Sequence, residues 1–174
     1  MNNISFWVSQ FIGFEALILL LISYRKKEID KILMVQSISS LLYVVHYLLL
    51  GAYSGLLVCY LDFIRDYMYY KSDKDKIIFL YLSLFYIAIG ILNYSKIIDL
   101  LPMIASEVDG YILLKHQKVV LIGSIFCCIL WIFYDLSYKS YIGIITSLII
   151  IISNLSVLIF HKNLFETKPL SKRK

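Results

Sequence analysis

The sequence predicts an all-α membrane protein of seven transmembrane helices, with the N-terminus outside and the C-terminus in the cytoplasm. Three observations predict it. The chain of 174 residues is 60% hydrophobic with a mean hydropathy of +0.79, which leaves too little polar surface to cover a soluble domain and makes lipid the main solvent. The apolar residues fall into seven stretches of 17 to 21 residues, 4–24, 32–50, 53–70, 77–93, 97–114, 119–135 and 141–160. At 1.5 Å per residue each just crosses a hydrocarbon layer of about 30 Å, and none alternates polar with apolar residues as barrel strands do. Finally, the Lys and Arg between the stretches alternate from side to side, 14 on one side and two on the other, and basic short loops stay cytoplasmic.

The first stretch has no basic residue before it and Arg25, Lys26, Lys27 and Lys31 after it, so it reads as a retained reverse anchor rather than a cleaved leader. It carries Gln10 and Glu15. The second sets Gln36, Ser39, Tyr43 and His46 in one row at three- and four-residue spacing and ends at Gly51-Ala52. The third bears Asp62, Arg65 and Asp66 and runs into Lys71, Lys74 and Lys76. The fourth stands alone between the first three and the last three. The fifth holds Pro102, Glu107 and Asp109, the sixth Trp131 and Tyr134, and the seventh a polar row of Gly143, Ser147 and Asn154. A basic tail at 161–174, with Lys162, Lys168, Lys172, Arg173 and Lys174, is suited to lie on an anionic inner leaflet.

Loops of two to about seven residues leave almost nothing for a second domain, and no enzymatic headpiece is expected. The net charge of +5 sits at span ends and in the tail, which fits topology and membrane lipid as a partner, not nucleic acid. Cys59, Cys127 and Cys128 fall inside spans and read as core thiols, with neither a disulfide framework nor a zinc spacing. No glycine-rich phosphate loop, Ser/His/Asp set, paired His for metal, or Lys in the seventh span for retinal occurs, so no catalytic residue, metal or cofactor is expected. Tyr47, Tyr53, Tyr94, Tyr134, Tyr138 and Tyr141 collect at the expected outer boundary, and Tyr24, Tyr67, Tyr69 and Tyr70 at the inner one, as interface anchors.

Sliding the chain on itself by 88 residues sets Tyr43-Val-Val-His46 over Trp131-Ile-Phe-Tyr134, Tyr53 over Tyr141, Gly55 over Gly143 and Arg65-Asp66 over Ser153-Asn154. A slightly different offset sets Gln10 over Pro102 and Glu15 over Glu107. Seven spans then resolve as a first three-helix repeat at 1–70, a linker helix at 77–93 and a second repeat at 97–160. With one helix between them the triplets insert in the same orientation, as parallel repeats about an axis along the membrane normal.

This order of segments, with the paired polar positions, resembles the SWEET and PQ-loop transporter superfamily. Within it, the run from Gln36-Ser-Ile-Ser-Ser-Leu-Leu-Tyr-Val-Val-His46 through Gly51-Ala-Tyr-Ser-Gly55 to Arg65, then Leu101-Pro102 and Trp131-x-x-Tyr134, is similar to the YgjV-type family of bacterial inner-membrane proteins. The resemblance implies two parallel three-helix bundles joined by a linker helix, a multi-pass inner-membrane location and a solute site between the bundles. The proline-glutamine pair that names the PQ-loop group is missing: Met103 follows Pro102, and Gln10 stands where a proline of the first triplet would. A proline hinge is therefore expected only at Pro102.

Asp62, Arg65 and Asp66 share one helical face with Gly55, Cys59 and Tyr69, reading either as part of a solute pathway or as a buried ion pair that fixes packing. Glu107 and Asp109 lie about 200° apart on a helix; Glu107 is the expected cavity residue and Asp109 a boundary one. Glu15 reads as the mate of Glu107 or as a neutral carboxyl at a packing interface. His46 takes protons or simply packs among aromatics; Asn154 bonds a solute or a neighbouring helix; Trp131 stacks on a solute or anchors the boundary. The expected function is carriage of a small polar solute, coupled to protons or a cation through Glu15, Glu107 or Asp62, so that Glu107→Gln or Asp62→Asn abolishes pH-driven uptake. The alternative is a non-transporting membrane subunit that packs against a partner, and a homo-oligomer suits either.

Overall fold

A computed structural model describes residues 3–23, 29–72, 75–115 and 117–160; Tyr24, Arg25, Lys26, Lys27, Lys74 and the basic tail 161–174 lie outside the described residues. These form seven α-helices, α1 (Asn3–Ser23), α2 (Ile29–Leu50), α3 (Tyr53–Lys71), α4 (Asp75–Leu92), α5 (Leu101–Ile112), α6 (Gln117–Tyr138) and α7 (Tyr141–Phe160), with a 3-10 turn at Ile97–Leu100. Among the described residues four segments are long and apolar enough to cross a membrane: Asn3–Ser23, Lys31–Leu50, Lys118–Tyr138 and Tyr141–Phe160. Lys76–Leu92 is apolar but shorter, and α3 carries Asp62, Arg65 and Asp66 in its middle.

The expected continuous helix over 97–114 is instead broken. Asp99 folds back so that its Oδ2 accepts the Lys96 N–H at 3.0 Å, while its Oδ1 accepts the Tyr138 hydroxyl at 2.6 Å. The 3-10 turn this stabilises hands over to α5, where Pro102 occupies the first turn. A proline there costs no helical hydrogen bond, because that N–H has no intrahelical partner in any case. Pro102 thus marks a junction between two helical segments and does not interrupt a span. With twelve residues, α5 rises about 18 Å, so that it needs the 3-10 turn to approach the depth of a bilayer. The sixth helix runs longer than the expected 119–135, and the extra turn places Asp135 inside it.

Each middle helix packs along both of its neighbours, α2 on α1 and α3, and α6 on α5 and α7. Helix α4 lies between α3 and α5, while direct contacts of α3 with α5 and of α1 with α7 join the two triplets. Val58, Leu61, Leu82 and Tyr86 form an apolar core between α3 and α4; Tyr47, Ala52, Cys59 and Tyr134 form a second around the α2–α3 turn. The perimeter is apolar, with Trp7, Leu80 and Ile152 outward.

The α2–α3 and α6–α7 turns follow one backbone path. Gly51 N–H donates to Leu48 C=O, Ala52 to Tyr47 and Leu56 to Ala52 at 3.1, 3.0 and 3.0 Å; Lys139 donates to Leu136, Ser140 to Asp135 and Ile144 to Ser140 at 3.5, 2.9 and 3.1 Å. Gly51 and Lys139 both take left-handed backbone angles, φ 69° and 57°. Every member of the second turn stands 88 residues after its counterpart in the first. Two close contacts across the triplets are also reciprocal. The Tyr134 hydroxyl, from α6, accepts the Gly55 N–H of α3 at 2.7 Å; His46, from α2, reaches Ser140 at the start of α7 at 2.8 Å. A Cβ on Gly55 would lie 2.7 Å from the Tyr134 ring, so only glycine allows that approach.

Three expected boundary anchors are instead interior. Tyr47, Tyr69 and Tyr134 are buried, whereas Tyr53, Tyr94 and Tyr141 are exposed. The hydroxyls of Tyr47 and Tyr134 find partners inside the bundle, which is what lets these rings sit in the core. The three cysteines are free and buried.

Candidate functional site

Arg65 lies about two-thirds of the way along α3, where a lone guanidinium in a membrane would be costly, and the fold surrounds it with acceptors. Its Nε donates to Asp66 Oδ1 at 3.1 Å, Nη1 to Asp62 Oδ1 at 3.1 Å and to the Ser106 carbonyl at 3.3 Å, and Nη2 to Asp109 Oδ2 at 3.2 Å. The helical spacing of Asp62 and Arg65 makes one of these pairs; the approach of α5 supplies a third carboxylate. Asp62 is held in turn by the Tyr86 hydroxyl of α4 at 2.6 Å and the Ser106 hydroxyl of α5 at 3.0 Å. Three helices are therefore tied through one charge cluster whose formal charge, with all groups ionised, is negative.

This cluster forms one wall of a cavity of about 560 Å³ that lies between the two triplets. Asp62, Arg65, Asp66, Ser106 and Asp109 line that wall; Gln36, Ser39 and Tyr43 of α2 and Thr146, Ser147 and Asn154 of α7 line others. From Gly143 to Val157, both on its surface, the cavity follows α7 for about 21 Å. Near the Gly51 turn its wall is aromatic and acidic. Trp131 stacks on Tyr47 with centroids 5.7 Å apart, and the Tyr47 hydroxyl donates to Asp135 Oδ1 at 2.8 Å. Cys59, Cys127 and Cys128 also reach the cavity surface.

Of the residues singled out in the sequence, Asp62, Arg65, Asp66, Trp131 and Asn154 meet at this cavity, and four do not. Glu107 turns away toward α4, its Oε2 accepting from Ser83 at 3.0 Å while Oε1 is buried without a partner among the described residues. The angular separation of Glu107 and Asp109 holds, but the choice between them is reversed: Ser106 and Asp109, three residues apart, form the face that α5 turns to Arg65. Glu15 sits on the outer face of α1 between exposed Phe11 and Phe14, neither in the cavity nor in a packing interface within the chain. Pro102 is buried at the head of α5. His46 stands behind the cavity wall, wholly buried, with Nδ1 2.7 Å from the Ser9 carbonyl.

Two residues of the site escape the sequence reading. Ser106 is overshadowed by the more conspicuous Glu107 beside it. Asp135 reads in sequence only as the end of a span; a signal for it is present, since it lies 88 residues after Tyr47, the residue that binds it.

A bundle of apolar helices around a cavity with charged walls defines an integral membrane protein. Residues 7–163 match the family model Imp-YgjV, described as bacterial inner membrane protein, and the chain belongs to that family. Among curated proteins and among solved structures no match is found.

Proposed function

We propose that the protein carries a small polar solute, preferentially a cationic one, across the bacterial inner membrane through the cavity between its two triplets. The observation that carries this reading is the composition of the lining: four acids, Asp62, Asp66, Asp109 and Asp135, against one base, Arg65. Within a low-dielectric bundle, such an excess of acids favours protons or a positively charged guest. The volume suits a small molecule, the Trp131–Tyr47 pair offers an aromatic face to a cation or planar group, and Asn154, Ser147, Gln36 and Ser39 supply neutral donors and acceptors on opposite sides.

The paired turns at 88-residue spacing support a SWEET-like arrangement of two parallel three-helix bundles joined by α4, with the N-terminus outside and the C-terminus cytoplasmic. Asp62 and Asp109 replace Glu107 and Glu15 as the preferred coupling groups, and the junction at Pro102 is the place for a hinge. No catalytic residue enters this reading. A stabilisation screen of purified protein against amines, amino acids, sugars, vitamins and nucleosides tests it, because only a guest that binds the folded form raises the unfolding temperature. Cationic solutes are expected to stabilise the native protein and to lose that effect in Asp109→Asn; stabilisation by anions alone contradicts the proposal.

One observation favours a second reading, a membrane subunit or homo-oligomer that packs through α1. Glu15 is exposed halfway along that helix, and a carboxylate facing lipid there costs about 2.5–3.5 kcal/mol. Cross-linking from the Glu15 face in native membranes, together with no hit in the solute screen, supports the subunit.

A further inference from the structure

The end of the cavity near the Gly51 turn holds a hydrogen-bonded array that the charge cluster around Arg65 does not explain. Asp135 is 1% exposed and accepts a hydrogen bond from Tyr47 at 2.8 Å; its Oδ2 and the Ser140 Oγ crowd one spot beside Gly143, and among the described residues it has no ion-pair partner. On the far side of Ser140, its Oγ lies 2.8 Å from His46 Nε2. The other ring nitrogen, Nδ1, lies 2.7 Å from the Ser9 carbonyl. A carbonyl only accepts, so Nδ1 always carries a hydrogen and Nε2 alone is free to gain or lose one.

The Ser140 hydroxyl has one hydrogen to give and faces two groups that both want it. Two arrangements satisfy every atom. In one, a protonated Asp135 donates to Ser140, whose hydroxyl donates to a neutral His46. In the other, the imidazolium Nε2–H donates to Ser140, whose hydroxyl donates to the Asp135 carboxylate. They differ by passage of one proton through Ser140 and have the same total charge. Removing that proton leaves a carboxylate and an imidazole lone pair competing for one hydroxyl hydrogen. Adding a second leaves that hydrogen without an acceptor in the array.

Among the described residues the surroundings supply no other charge. Tyr43 and Tyr47 of α2, Cys59 of α3 and Tyr134 and Tyr138 of α6 are the titratable groups facing this end, all neutral in their ordinary state. Helix α1 brings Ser9 and Gln10, α7 brings Gly143 and Thr146, and Lys139 in the adjoining turn is exposed. Asp99, the nearest acid of the neighbouring 3-10 turn, is engaged by Tyr138.

We infer that Asp135, Ser140 and His46 together bind one exchangeable proton, and that Asp135, the member of the three on the cavity surface, releases it to cavity water when a cation enters. The Asp135 O–H bond breaks, water takes the proton, and the carboxylate keeps the electron pair. Ser140 then turns its hydroxyl hydrogen from His46 to Asp135, and the arriving cation replaces the charge that left. One proton is exchanged per unit of positive charge. The exchange rests on the carrier reading; the shared proton does not.

The test uses the full chain in lipid nanodiscs, without solute, with ¹⁵N-labelled histidine and the His46 signals assigned by His46→Gln. The expected wild-type Nε2 shift lies between the protonated and unprotonated limits. Asp135→Asn fixes the array, because its amide N–H occupies the Ser140 oxygen and directs the hydroxyl to Nε2, so His46 should become neutral at every pH the fold tolerates. Ser140→Ala removes one oxygen only and should collapse the Nε2 shift to a single protonation state. It keeps the inference falsifiable if the first variant does not fold. An Nε2 shift unchanged in either variant overturns the shared proton. Addition of guanidinium chloride to wild-type protein in weak buffer, followed with a pH dye, should then release up to one proton per chain, and Asp135→Asn none. Equal release from both, or none from wild type, overturns the exchange and with it proton-coupled carriage, even where the spectrum upholds the shared proton.

Discussion

The α2–α3 turn and the α6–α7 turn trace the same path with different side chains, and the contrast separates what the backbone needs from what the site needs. Both require a residue in left-handed conformation, a tightly buried residue after it and a close-packed helix start. The first turn meets these needs with Gly51, Ala52 and Gly55, and the second with Lys139, Ser140 and Gly143. The first is chemically silent. In the second, Ser140 adds a hydroxyl where Ala52 has none, and Asp135 stands where the first half has Tyr47. The asymmetry reverses deeper in the bundle, where Arg65 and Asp66 of α3 face the cavity and the matching positions of α7 are Ser153 and Asn154. Two turns of one backbone path thus lead into unlike chemistry, the charge cluster on α3 and the His46–Ser140 contact at the start of α7.

The largest break in that symmetry should come from Arg65→Gln, which strands Asp62, Asp66 and Asp109 without their cation. A loss of about 3–5 kcal/mol is expected, while Ser153→Ala at the matching position should stay within about 0.5 kcal/mol; denaturant unfolding in micelles compares the two. Next come the helix-start glycines. A Cβ at Gly143 would collide with Asp135 and Ser140, and one at Gly55 with the Tyr134 ring, so both alanine variants should lose about 1–3 kcal/mol. Gly143→Ala should lose more, since its obstacle is backed by His46, and melting temperatures rank the pair.

Tyr134→Phe removes the oxygen that serves the Gly55 N–H and Ser54, at about 1–3 kcal/mol. Hydrogen exchange confined to the start of α3 would localise that effect. The smallest difference lies in the turns themselves. Gly51→Ala should lose about 1 kcal/mol and Lys139→Gly should gain somewhat less, because the left-handed angle is free only for glycine; opposite signs in a thermal melt confirm that the two positions are equivalent.

Much of this fold is legible in the sequence. Apolar length marks six of the helices within a few residues, and the 88-residue register links Gly55 with Gly143 and Tyr53 with Tyr141. The fifth segment is misread because hydropathy does not register the Asp99 side chain folding onto the Lys96 N–H, which ends one helical segment before Pro102 begins the next. The site is half legible. Spacing along α3 alone brings Asp62, Arg65 and Asp66 to one face, but which side of α5 meets Arg65 depends on how α5 is rotated between α3 and α4, and periodicity within α5 carries no such information. Tyr47 and Tyr134 look like boundary anchors because their position along the span fits both roles; only the partners of their hydroxyls decide. Asp135 is passed over because an acid at a span end ordinarily reads as solvated.

The central claim is that water reaches a cavity lined by both triplets while the perimeter faces lipid. Cysteines introduced one at a time by Ser147→Cys, Asn154→Cys and Ile152→Cys, in a background with Cys59, Cys127 and Cys128 changed to serine, test it through labelling with a membrane-impermeant, positively charged thiol reagent in open membrane fragments. Positions 147 and 154 line the cavity and 152 is 66% exposed on the perimeter. Rapid labelling at 147 and 154 with little at 152 is the predicted result; protection at both cavity positions, or equal labelling at all three, would contradict the account.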